Sequence, residues 1–141
     1  MAGPWAAIAY VSHVGHHQGP GYWVNYGSYM KWNPGTWIDA TYTFGVDEGN
    51  FSSGAAANTA LSKCNNNRCG YLTVHNGCAA VAVGKVAGGN TSNVGFSTYR
   101  IQYNPGQTRN EIREAAYHGA RAACISTGSR CVDVQVACAW Q

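Results

Sequence analysis

Charge is scarce in this chain: Asp, Glu, Lys and Arg make up 11% of its 141 residues, against a usual value of about 25%. Solubility therefore falls to Asn, Ser, Thr and Tyr. Nine basic residues outnumber six acidic ones for a net charge of +3, but they are scattered and never run three together. That dispersal argues against a nucleic-acid partner, which needs a basic stripe or patch. No apolar run approaches the roughly 18 residues that a membrane span requires, so the chain is not expected to be membrane-spanning. No basic-then-apolar leader precedes Trp5, and Met1 directly before AGPW fits a mature exported domain carrying an added start residue. Also missing are the G-x-S-x-G elbow of hydrolases, a phosphate-cradling glycine loop and an H-E-x-x-H pair. A chain of this length supports one domain, residues 1–141, around one core.

What the sequence has instead is a pattern of six cysteines in two triplets, Cys64, Cys69, Cys78 and Cys124, Cys131, Cys138, offset by 60, 62 and 60 positions. A unit of about 60 residues thus reads as duplicated, with repeat one over about 5–77 and repeat two over about 78–141. Six cysteines in so small a chain point to disulfides and an oxidising compartment. Zinc ligation is the competing reading, but it calls for two close pairs, and the gaps of four residues after Cys64 and six after Cys124 do not supply them. If equivalent cysteines make equivalent bonds, Cys64 joins Cys69, Cys124 joins Cys131, and Cys78 joins Cys138 across the repeats.

Trp5 to Val11 (WAAIAYV) and Cys78 to Val83 (CAAVAV) are matching apolar runs of strand length. Alternating segments follow each, Thr36 to Phe44 and Gly95 to Tyr103. A helix then opens at Ser52 or Ser53 and runs to Lys63 with a small face of Ala55, Ala56, Ala57 and Ala60. Its counterpart begins at the capping box Thr108-x-x-Glu111 and runs to about Ala123, with Ile112, Ala115, Ala116, Gly119, Ala122 and Ala123 on one side. Closing strands are expected at Gly70 to His75 and Cys131 to Ala137. The expected fold is α+β: a duplicated β-β-α-β unit forming one mainly antiparallel sheet, with two helices on one face, stapled by disulfides.

The order and spacing of WAAIAY, ALSKC-NNNRC, CAAVAV and the closing VQVACAW resemble the bacterial secreted family catalogued as domain of unknown function 4189. The likeness covers roughly residues 5–11 and 36–141. It implies an exported protein, secreted or held in the periplasm or cell envelope, and a structural disulfide role for Cys64, Cys69, Cys78 and Cys138. No catalytic residue carries over from it. The departure is an aromatic, Gly-rich insertion over 12–35, where specialised activity would lie.

That segment holds three of the five histidines and, with Trp37 included, three of the five tryptophans. His13, His16 and His17 could bind a divalent metal, although the loop offers no fourth ligand; Asp39, Asp47, Glu48 and His75 are distant candidates. The alternative is three histidines on a polar turn. No cofactor is expected. Tyr22, Trp23, Tyr26, Tyr29, Trp32 and Trp37 have the composition of a surface that stacks on sugar rings or fits another protein. They could equally roof a sheet whose Ala-rich helices leave volume unfilled.

Catalysis has thin support. Glu114 and His118 stand one helical turn apart beside Glu111, as on any exposed helix. Asp39, Asp47, Glu48 and Asp133 are too dispersed to single out a hydrolytic carboxylate pair. Three function classes follow: a secreted, non-catalytic module binding a glycan or protein ligand on a cell surface; a secreted effector, toxin or inhibitor acting on another cell; and a metal-dependent or acid/base hydrolase. An exposed edge such as Thr36 to Phe44 could also pair with a second copy, giving a homo-oligomer.

Overall fold

The computed structural model describes residues 3–13, 16–38, 40–86 and 94–141, with side chains throughout except at 16–18, 36–38 and 86. The elements in chain order are β1 (Trp5–His13), β2 (His16–Gln18), β3 (Tyr22–Asn25), β4 (Met30–Asn33), β5 (Thr36–Ile38), β6 (Thr41–Asn50), α1 (Ser53–Cys64), β7 (Gly70–His75), β8 (Gly77–Val86), β9 (Val94–Gln102), α2 (Arg109–Ser126) and β10 (Ser129–Ala139).

The expected α+β class, the two helices and the antiparallel pairing are all present, but the single sheet is not. The strands form two three-stranded sheets, ordered β6-β1-β7 and β10-β8-β9, together with two short ribbons, β2-β5 and β3-β4. The two helices do not share a face either. Each lies on the outer side of its own sheet, giving four layers in the order α1, first sheet, second sheet, α2.

Side-chain alternation along the central strands dictates this arrangement. In β1, Ala6 and Ile8 meet Val74, Ala79, Val81, Ala137 and Ala139 between the sheets, while Ala7, Ala9 and Val11 meet Ala56, Ala60 and Cys64 beneath α1. In β8, Ala79 and Val81 face inward, and Cys78, Ala80 and Ala82 lie under Ile112, Ala116, Ala120 and Cys124 of α2. Both central strands are buried on both faces. One open sheet with both helices on the same side would leave one of those faces in water, whereas stacking two sheets covers both. Tyr10, Phe44 and Phe96 fill one end of the space between the sheets, where alanines are too small.

Local signals at the helix ends behave as read. Ser52 Oγ accepts from Ala55 N at 3.1 Å, and Asn65, in a left-handed conformation (φ 52°), closes α1 by donating to Leu61 O. Thr108 and Glu111 exchange both capping-box bonds at 3.1 Å. The buried stripe of α2 is narrower than expected: Ile112, Ala116, Ala120 and Cys124 are buried, and Ala122 points to solvent.

All six cysteines are bonded, Cys64–Cys69, Cys124–Cys131 and Cys78–Cys138. The third bond needs a correction in its meaning. Cys78 and Cys138 lie directly opposite each other on β8 and β10, so the bond sits inside the second half rather than across halves. Its counterpart register in the first half, Trp5 opposite His75 on β1 and β7, holds a ring pair with centroids 4.8 Å apart.

Candidate functional site

The insertion is built as strands rather than as the irregular loop its composition suggests. Paired residue numbers add to 54 at the end of β1–β6 (His13 with Thr41) and throughout β2–β5 (His16 with Ile38), and to 55 in β3–β4 (Tyr22 with Asn33). The three ladders are therefore successive stretches of one long antiparallel excursion from the first sheet. Its tip is a two-residue turn: Tyr26 N donates to Tyr29 O at 2.9 Å, Gly27 takes a positive φ of 90°, and the Asn25 side chain accepts from Gly27 N. Glycine at the first central position is what such tight hairpin turns favour. The strand read as Thr36 to Phe44 is divided between β5 and β6, and Asp39 lies outside the described residues.

Tyr22, Trp23, Tyr26, Tyr29, Met30 and Trp32 are each 47 to 62% exposed, so the rings of this hairpin do not roof either sheet. They pair with each other across the ribbon instead. Trp23 lies opposite Trp32, edge to face at 5.3 Å, and Tyr26 stacks on Tyr29 at 5.1 Å. Asn33 Nδ2 donates to the Tyr22 hydroxyl at 3.0 Å. Cross-strand aromatic pairs of this kind hold a hairpin in register and fix ring orientation. A groove of about 270 Å³ runs along the hairpin, lined by Val24, Tyr26, Lys31, Trp32, Asn33, Pro34 and Gly35. Lys31 is the sole charged residue between His13 and Asp39. The groove thus combines ring surface, an amide and one ammonium group. Trp37 pairs with His17 on the backbone, and its side chain lies outside the described set.

Of the metal candidates, His13 is half-buried with Nε2 3.0 Å from Thr43 Oγ1. The side chains of His16 and His17 lie outside the described set. Among the described residues no three His, Cys, Asp or Glu side chains gather as a metal group. His75 packs on Trp5, and Asp47 accepts from Asn50.

The remaining acids serve the framework. Glu48 Oε2 accepts from Cys138 N at 2.6 Å and from Arg113 at 3.3 Å, tying β6 to β10 and α2. Asp133 Oδ2 accepts from the Tyr42 hydroxyl at 3.2 Å, a second bridge between the sheets. Burial first, then the Asp133 charge and that hydrogen bond, raise the Tyr42 pKa above its ordinary value of 10.0. Glu111 is occupied by the helix cap, and Glu114 pairs with His118 at 3.5 Å on the exposed side of α2. The structure brings no catalytic grouping together from these residues. It assembles the aromatic set, together with Lys31 and Asn33, which sequence reasoning passed over. The signal for them was the near-palindrome Tyr-Trp-Val-Asn-Tyr-Gly-Ser-Tyr-Met-Lys-Trp-Asn around Gly27-Ser28, which places Trp23 opposite Trp32.

A family model described as Domain of unknown function (DUF4189) matches residues 5–138, nearly the whole chain. The chain belongs to this family. The hairpin lies inside the DUF4189 span. Comparison with curated proteins and with solved structures found no match.

Proposed function

We propose that this DUF4189 chain is a secreted, non-catalytic binding module that holds a glycan of a cell surface on its aromatic hairpin. The observation carrying this reading is the set of mutually packed yet exposed rings at Trp23, Trp32, Tyr26 and Tyr29. Large rings left in water forgo burial worth about 2 kcal/mol each. Held rigidly by their neighbours, they offer flat contact area at little cost in side-chain entropy. Lys31 and Asn33 add hydrogen-bonding groups beside the rings, suited to sugar hydroxyls. A protein ligand on the same surface is the second form of this reading, because exposed Tyr and Trp are equally the residues of protein interfaces. Three disulfides favour an extracytoplasmic setting. The two halves are read as copies of one β-β-α-β unit, with the hairpin added to the first.

The test is a tryptophan-fluorescence titration with soluble oligosaccharides of several sugar classes, on the parent protein and on Trp23→Ala and Trp32→Ala. Saturable change with one class, lost at least tenfold in both variants at unchanged melting temperature, is expected. No response to any glycan, or full binding by both variants, would sink the glycan reading.

A further inference from the structure

The two sheets leave open clefts at both sides of their interface, and these clefts are furnished differently. On one side β6 lies over β10; on the other β7 lies over β9. Glu48 on β6 pairs with Ala6 of β1, and Arg100 on β9 pairs with Ala79 of β8, so the two charged residues hold the same place in their respective sheets. Glu48 is spent, because its carboxylate takes both Arg113 and the Cys138 amide. Arg100 is not. It makes one long hydrogen bond, to Thr73 O at 3.4 Å, and meets no carboxylate among the described residues.

The cleft that Arg100 borders has a volume of about 420 Å³, enough for a compact ring compound. Buried Val74 forms part of its apolar lining, Trp5 and His75 line it at the edge of the first sheet, where Trp5 also packs against the residues beneath α1, and Gln102 adds a side-chain amide. In the second half a disulfide fills the register that Trp5 and His75 occupy here. We infer that this cleft binds a small ring compound bearing one carboxylate, with the ring against Trp5 and the carboxylate on Arg100. A guanidinium grips a carboxylate through two parallel hydrogen bonds, and His75 and Gln102 supply further donors. The site is separate from the hairpin: it lies at the far end of β1, a strand roughly 25 Å long by the rise of extended backbone.

The experiment is an NMR titration of the full chain with D-glucuronate and with benzoate, against D-glucose and benzamide as neutral counterparts. The acids are expected to shift the Trp5 indole, the Arg100 side chain and the amides of Thr73 to His75 saturably, and the neutral compounds to leave them unmoved. Arg100→Gln, at an exposed position that the core does not need, should weaken binding at least tenfold, while Arg113→Gln on the opposite side should bind as the parent. Three results would each overturn the inference: no shift at these residues with either acid, undiminished binding by Arg100→Gln, or loss of the same signals in Trp23→Ala, which would place the ligand on the hairpin.

Discussion

In the second half of the chain, the central and third strands are clamped near one end by Cys78 and Cys138; in the first half the same register holds Trp5 and His75. Other matched places differ in the same way. His13 and Thr41, which bound the strand pair of the first half, enclose 27 residues, whereas Val86 and Val94 in the second half enclose seven. Close approach of helix to sheet relies on a glycine in both halves, but on Gly45 of strand β6 in one and on Gly119 of helix α2 in the other. The lesson is that the layered framework rests on the small apolar residues of β1 and β8. Positions at strand ends and turns are free to carry a staple, a ring pair or an entire hairpin without changing strand order.

The largest effect should come from removing the staple. Cys78→Ser with Cys138→Ser opens a link spanning 60 residues, which loop entropy values at about 4 kcal/mol. Trp5→Ala should cost about 2 kcal/mol, since its ring is only half-buried and bridges nothing covalently. Denaturant unfolding of both variants would measure the gap, and equal losses would show that ring pair and disulfide are interchangeable in strength.

The two glycines sharpen the contrast at an intermediate scale. A Cβ on Gly45 would stand 2.1 Å from Ala60 O and 2.5 Å from Cys64 N, both backbone atoms that move only if α1 lifts off the sheet. Gly45→Ala is therefore expected to cost about 3 kcal/mol. A Cβ on Gly119 meets the exposed ring of Tyr99 at 2.5 Å, which can swing aside, and alanine favours the helix by roughly 1 kcal/mol. Gly119→Ala should fall within about 1 kcal/mol of the parent in a thermal melt.

The smallest effect concerns the bridge from Tyr42 to Asp133, which has no matching side-chain pair among the described residues of the other side. Tyr42→Phe removes one hydrogen bond, worth about 1 kcal/mol. Because folding raises the Tyr42 pKa, the folded protein holds that proton more tightly than the unfolded chain. The contribution is thus fully present below pH 10 and is lost as pH rises through the folded value. Unfolding curves collected across that alkaline range should show a steeper fall for the parent than for Tyr42→Phe.

Much of the framework was legible because its signals are local. Ser52, Thr108 and Glu111 announce helix starts through bonds made within three residues, and Gly70 to His75 alternates over its own length. The bonds Cys64–Cys69 and Cys124–Cys131 close short loops at matching places. Cys78–Cys138 was paired correctly on an offset that has no structural meaning, since the residues matching them in the first half are Trp5 and His75. The aromatic residues were legible as a candidate surface, but their exposure was not, because the same rings would serve equally well as a roof for a sheet.

What the sequence determined by itself was the framework elements outside the insertion, the N-caps of both helices, the buried Ala and Val strands, the two short-loop disulfides and the family. Tertiary structure decided that β1 and β8 centre separate sheets, that the helices take opposite outer faces, and that Arg100 is left beside an open cleft while Glu48 is consumed. The reason is physical. Periodicity records which residues of a strand share a face, but which surface covers that face depends on how whole sheets meet, a contact between residues far apart in the chain.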